Sequence, residues 1–109
     1  MNGMVILSCM TLAIECDAKS VETLEGLAAT GHPLIGEYIK HHTMQWGHCT
    51  PGFVVAVKAL LDKNSDPTEE KMREVLSGTL CRCGTYPRHR KTVAEATSIL
   101  QGRCNEQKR

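Results

Sequence analysis

Two stretches decide how this chain is read: Gln45-Trp46-Gly47-His48-Cys49-Thr50-Pro51-Gly52-Phe53 and Leu80-Cys81-Arg82-Cys83-Gly84-Thr85-Tyr86-Pro87. In each, cysteine sits in a glycine-containing turn, a Thr and a Pro follow, and the apolar spacing beyond them is helical. The first turn of a helix presents unpaired N–H groups and the positive end of the macrodipole, which favour anions and lower a thiol's pKa. Two such ends facing each other make a site for an anionic thiolate cluster. Gly47 and Gly84 let the backbone approach closely there and donate N–H bonds to sulfur.

The cysteine count agrees. Six cysteines among 109 residues are either disulfide partners in a secreted chain or metal ligands in a reducing compartment. The short apolar run Met4-Val5-Ile6-Leu7 before Cys9 has no basic segment in front of it and does not make a secretory leader. Metal is therefore favoured. The single-residue spacer of Cys81-Arg82-Cys83 suits two thiolates converging on one site better than two separate disulfides.

Working outward, the pattern predicts four helices. The first follows Pro33 for about ten residues, with Leu34, Ile35, Tyr38 and Ile39 as its apolar face. The second has Thr50 as N-cap and Pro51 at its first position, and buries Phe53, Val54, Val57, Leu60 and Leu61. Asp66-Pro67-Thr68-Glu69 starts the third, which buries Met72, Val75 and Leu76 and ends at Gly78. The fourth follows Tyr86-Pro87, buries Val93, Ala96, Ile99 and Leu100, and ends at Gly102. The expected fold class is thus mainly α. Residues 29–102 form the helical domain, 1–28 a short β segment ahead of it, and 103–109 a polar, frayed tail.

The β expectation rests on Asn2-Gly3 before Met4-Val5-Ile6-Leu7, a type I′ hairpin signal leading into a strand. Only Met1 precedes the turn, so the first strand of the hairpin is missing. On this reading the chain is the tail of something longer, or pairs with something else, and its strand around Val5 to Leu7 is an exposed edge.

Thirteen basic against twelve acidic residues, scattered along the chain, exclude the concentrated basic face of a nucleic-acid binder. No apolar run approaches the ~18 residues of a membrane span. A cytoplasmic location is expected.

These residues resemble a known family. Gln45, Gly47 and Cys49-Thr50-Pro51-Gly52-Phe53, then Ala59-Leu60-Leu61 with Asn64, Pro67-Thr68-Glu69-Glu70, and Leu76-Ser77-Gly78 with Leu80 to Tyr86 are similar to the small iron–sulfur subunit of molybdenum hydroxylases, the xanthine dehydrogenase and aldehyde oxidoreductase group. Ser8-Cys9-Met10-Thr11-Leu12 and Thr23-Leu24-Glu25-Gly26-Leu27 extend the similarity over almost the whole chain. The resemblance implies a four-helix [2Fe–2S]-binding domain, preceded by the remnant of a plant-type ferredoxin-like β domain. It implies Cys49, Cys81 and Cys83 as metal ligands, with Gln45, Gly47 and Gly84 in contact with cofactor, Gln45 and Cys83 standing near the pterin. Electrons would pass from a molybdopterin centre on a large partner subunit through this cluster to a downstream acceptor, with a flavin or cytochrome subunit as a further partner. The hydroxylase would oxidise an aldehyde or an N-heterocycle, and no substrate chemistry is expected on this chain alone.

The chain departs from the family pattern at Trp46, which stands where the first cluster ligand belongs. A [2Fe–2S] centre is commonly held by four thiolates, and indole has no electron pair suited to iron. The replacement could be His48, His41, His42, Cys16, Cys104 or water, or the cluster could be incomplete or absent. The Trp46 ring must either cover the cluster cavity as an apolar plug or swing outward. Two other functions stay open: a structural zinc site using the three cysteines and one His, and a cluster-free docking module. Cys9 matches the last ligand of the upstream plant-type cluster and cannot hold it alone, and Cys16 and Cys104 match no motif position.

Overall fold

The computed structural model describes the backbone of residues 1–106 and the side chains of residues 1–102. Among these residues five α-helices are formed: α1 Leu24–Ala29, α2 Pro33–Lys40, α3 Thr50–Lys63, α4 Glu69–Ser77 and α5 Tyr86–Glu106. The four expected helices are α2 to α5, and α1 is the short segment around Leu24-Glu25-Gly26-Leu27.

Local chemistry sets the helix starts. Thr23 and Thr68 cap α1 and α4, their hydroxyls accepting from the N–H groups of Gly26 and Lys71. His32 caps α2 through Nδ1, which accepts from the Leu34 N–H, and Pro33 fits the first turn, where no N–H is needed. At α3 the cap is Cys49 and not Thr50 as the sequence suggests, so Thr50 is the first helical residue. That one-residue shift puts the thiol itself at the mouth of the helix.

α5 packs along α2, α3 packs along α4, and α4 also touches α5, while α1 and α2 each touch α3. The core between them comprises Leu27, Leu34, Tyr38, Phe53, Val54, Val57, Leu61, Leu76, Val93 and Ala96. The expected α3 face is buried in full, whereas Ile39 on α2 is 61% exposed. Ile39 lies one position past Tyr38, and a short helix turns only one stripe inward. Met72, Ile99 and Leu100 are partly buried at the margin.

Charge locks α2 to α5. Lys40 Nζ donates to Glu37 Oε2 at 3.1 Å and to Glu95 Oε2 at 2.9 Å, and His41 Nε2 lies 2.8 Å from the same Glu95 oxygen.

Two expectations are corrected. Among the described residues there is no strand: Asn2 and Gly3 do take positive φ (48° and 76°) and the Met4 N–H reaches the Met1 carbonyl, so the turn forms. With no strand to pair against, the Asn2 N–H goes to the Ser20 carbonyl, and Ser8–Met10 and Ala13–Cys16 curl into 3-10 turns. Val5 and Leu7 remain exposed. Secondly, α5 does not end at Gly102 but runs on to Glu106. A single glycine costs a helix only about 1 kcal/mol. The rest of the expected tail, 107–109, and the side chain of Cys104 lie outside the described residues.

Leu34→Ala removes a fully buried side chain and is expected to cost about 2–5 kcal/mol in urea unfolding. Ile39→Ala, on the same predicted stripe, should stay within about 0.5 kcal/mol. Equal losses would show that the α2 face is placed wrongly.

Candidate [2Fe–2S] site

The thiols of Cys49, Cys81 and Cys83 lie within 4.8 Å of one another. Cys49 and Cys83, from the turns ahead of α3 and α5, are 3.7 Å apart. Each turn is built locally. Gly47 takes φ +85°, a conformation that favours glycine, and its carbonyl accepts from the Thr50 N–H. The second turn is folded by Tyr86, whose hydroxyl accepts from the Cys81 N–H at 2.8 Å and donates to the Thr79 carbonyl at 2.7 Å. The Tyr86 ring meets Phe53 edge-on at 5.4 Å, which ties this turn to the core of α3.

Cross-links join the two turns. Gln45 Oε1 accepts from the Gly84 N–H at 3.3 Å, so two of the sequence-predicted residues bridge the loops. Arg88 donates to the His42 carbonyl, and the buried Thr43 and Thr92 hydroxyls meet at 2.6 Å. Thr92 also donates to the Arg88 carbonyl, so its hydrogen is used there and Thr43 is the donor between them.

The electrostatics favour negative sulfur at one end of the trio. Hydrogen bonds from Thr85, with further ones from Cys81 and Cys49, bring Cys83 down to about 7 despite some burial. Burial and the hydrogen bonds with its two neighbours push Cys49 up to about 12. Of these two thiols, Cys83 gives up its proton the more readily. The Cys83 N–H donates to Cys81 Sγ at 3.4 Å. Thr50 Oγ1, directly after Cys49, is buried and has no hydrogen-bond partner. Three soft sulfur donors with backbone N–H groups beside them fit an anionic iron–sulfur centre at three of its four thiolate positions.

The fourth position is the one the sequence singled out. Trp46 is 83% exposed, so its ring has swung outward and no apolar plug fills the site. No histidine nitrogen and no further cysteine among the described residues joins the three thiols within 4.8 Å. His48 is exposed, and His41 is held by Glu37 and Glu95. The Cys₃His zinc set is therefore not assembled.

Sequence reasoning missed His89. It is fully buried, stacked on Phe53 with ring centroids 4.0 Å apart, and its two ring nitrogens face Thr85 Oγ1 at 3.2 Å and the Tyr38 hydroxyl at 3.0 Å. The signal was its spacing: His89 lies one helical turn before Val93 on the stripe that continues to Ala96. Burial pushes the His89 imidazole down from 6.5 to about 4, and burial also raises the Tyr38 hydroxyl.

A base whose pKa falls on folding takes up its proton more readily when unfolded, so stability is complete above about pH 6.5 and is lost as pH falls toward 4. At pH 4.5 this His89 contribution amounts to a loss of about 2–3 kcal/mol. His89→Phe should flatten the dependence by that amount when urea unfolding is compared at pH 7 and 4.5. An identical acid-side loss in both proteins would contradict a buried, neutral His89.

Residues 23–94 match the [2Fe-2S] binding domain family. The chain is 41% identical over 103 residues to the nicotine 6-hydroxylase small subunit of Paenarthrobacter nicotinovorans, covering 94% of this chain and 60% of that one. It is 42% identical over 87 residues to the nicotinate dehydrogenase small FeS subunit of Eubacterium barkeri, covering 78% and 55%. It superposes on a chain of quinoline 2-oxidoreductase from Pseudomonas putida 86 with a TM-score of 0.85 at 33% identity, covering 94% of this chain and 65% of that chain. The chain therefore spans a little over half the length of these relatives. With the family match extending over most of its length, the chain belongs to the [2Fe–2S] binding domain family.

Proposed function

We propose that this chain holds a [2Fe–2S] cluster on Cys49, Cys81 and Cys83 and relays single electrons from a molybdopterin centre on a large partner subunit to a downstream acceptor. The observation that carries the reading is the convergence of the three thiols within 4.8 Å at two helix-start turns. When bound, the cluster supplies one-electron redox chemistry, at a potential set by its charge, solvent exposure and the hydrogen bonds to its sulfurs. The chain's own part is to supply the thiolates, direct N–H and O–H donors at them, and hold both turns rigid. Oxidation of substrate belongs to the partner. The relatives above are named for nicotine, nicotinate and quinoline, all nitrogen heterocycles, while others are named for aldehyde oxidation, so an N-heterocycle or an aldehyde is the class proposed.

Surface chemistry supports docking beside the thiols. Trp46 and Leu80 are 83% and 89% exposed, and each lies within three residues of a thiol in the chain. Exposed aromatic and aliphatic side chains of this kind are the anchors that a stable interface buries. Gln45, with Gly47 and Gly84, belongs to the same rim, and contact with the pterin of the large subunit is its proposed role. No helix among the described residues is long and apolar enough to cross a membrane, in keeping with action in the cytoplasm.

Trp46 defines the test. With three thiolates, one iron position is left to water or a small external ligand, so iron leaves more readily to oxygen or chelators. Trp46→Cys should raise cluster content several-fold after anaerobic reconstitution, read by visible absorption and by EPR of the reduced state. Because the indole is exposed, the metal-free variant should unfold within about 0.5 kcal/mol of the parent. Equal cluster content in the two proteins would contradict the reading of position 46 as a vacant ligand site.

A further inference from the structure

A buried polar line runs inward from the thiols. Cys83 Sγ lies 3.2 Å from Thr85 Oγ1, Thr85 Oγ1 lies 3.2 Å from His89 Nε2, and His89 Nδ1 lies 3.0 Å from the Tyr38 hydroxyl. Thr85, His89 and Tyr38 are 4%, 0% and 1% exposed, so each depends on the next for hydrogen bonding.

The two middle groups have little freedom. A neutral imidazole has one N–H and one lone pair on opposite nitrogens, and a threonine hydroxyl has a single hydrogen. If one link is set, the others follow. Either Tyr38 donates to His89, His89 to Thr85 and Thr85 to Cys83, or every link runs the other way. A metal-bound thiolate has no proton to give and can only accept, so it selects the first direction.

We propose that His89 is a positioning residue for the cluster: it carries its proton on Nε2, takes the Tyr38 hydrogen on Nδ1, and so fixes the Thr85 O–H on the sulfur of Cys83. This rests on Cys83 being a ligand, as proposed above. A hydrogen bond to a ligating sulfur withdraws electron density from it and favours the reduced cluster, and hydrogen bonds linked in a dry interior strengthen one another. His89 would thus raise the reduction potential without touching the cluster, through a hydroxyl that it orients.

The test is long-range proton–nitrogen NMR on protein with ¹⁵N-labelled histidine, loaded in parallel with Cd²⁺ and with iron and sulfide. Cd²⁺ binds thiolates and has no unpaired electrons, so the result does not depend on whether a complete cluster forms beside Trp46. The His89 signal, identified by its loss in His89→Phe, should show the Nε2–H tautomer, and Tyr38→Phe should move Nδ1 toward the value of an unbonded nitrogen. An Nδ1–H tautomer in the Cd²⁺ form overturns the proposal whatever the iron content. The Nε2–H tautomer together with failed iron incorporation supports the positioning role and counts against the proposed function alone. In the iron-loaded protein Thr85→Val should shift the midpoint potential negative, Thr85→Ser should restore it, and His89→Phe should shift it in the same direction as Thr85→Val. A potential that does not move in Thr85→Val also overturns the proposal.

Discussion

Cys49 and Cys83 are separated by 34 residues in sequence and by 3.7 Å in space, and the packing around them follows from holding them there. Neither turn could do so alone, because a loop stays in place only as far as its backbone groups are satisfied and its flanks are packed. Here both thiols precede helices whose inner faces share one core: Phe53 from α3 and Val93 from α5 are each fully buried. Burial of such side chains stabilises by about 1.5–3 kcal/mol each, more than the roughly 0.5–1.5 kcal/mol net of a hydrogen bond between the turns. The helices position the sulfurs, and the hydrogen bonds between the turns refine that position.

The polar groups inside this core follow the same logic. Thr85, His89, Thr92, Thr43 and Tyr38 are buried, and each has a partner: His89 meets Tyr38 across α5 and α2, Thr92 meets Thr43 in the segment after α2, and Thr85 meets His89. A buried polar group left without a partner costs about 1–3 kcal/mol, so such links specify one register of α2 against α5 where apolar contacts alone would tolerate several. Among the described residues Thr50 Oγ1 is the exception, in the residue that follows Cys49 in the chain.

Much of this was legible in the sequence. Caps and prolines placed α2 to α5 within a few residues, because helix starts are governed by local chemistry that a single chain displays. The Cys-containing turns stood out for the same reason, and the departure at Trp46 was visible against the pattern of the family that the chain resembles. The direction of its ring was not, since a turn residue can face either way until the packing around it is known. The expected strand at Val5 to Leu7 failed for a non-local reason: its turn formed, but a strand needs a partner. His89 was overlooked because a lone histidine in a charged run, Arg88-His89-Arg90-Lys91, reads as surface. Only its helical spacing to Val93 shows that it faces inward.

The central claim is that three thiolates on two helix-start turns hold an iron–sulfur centre. Iron and acid-labile sulfide analysis of the chain purified without oxygen, beside Cys83→Ser, tests it most directly. Iron and sulfide are expected in equal amounts, well below two of each per chain because Trp46 leaves one ligand position open, with loss of both in the variant. Iron without sulfide, zinc in its place, or a metal content unchanged by Cys83→Ser would contradict it.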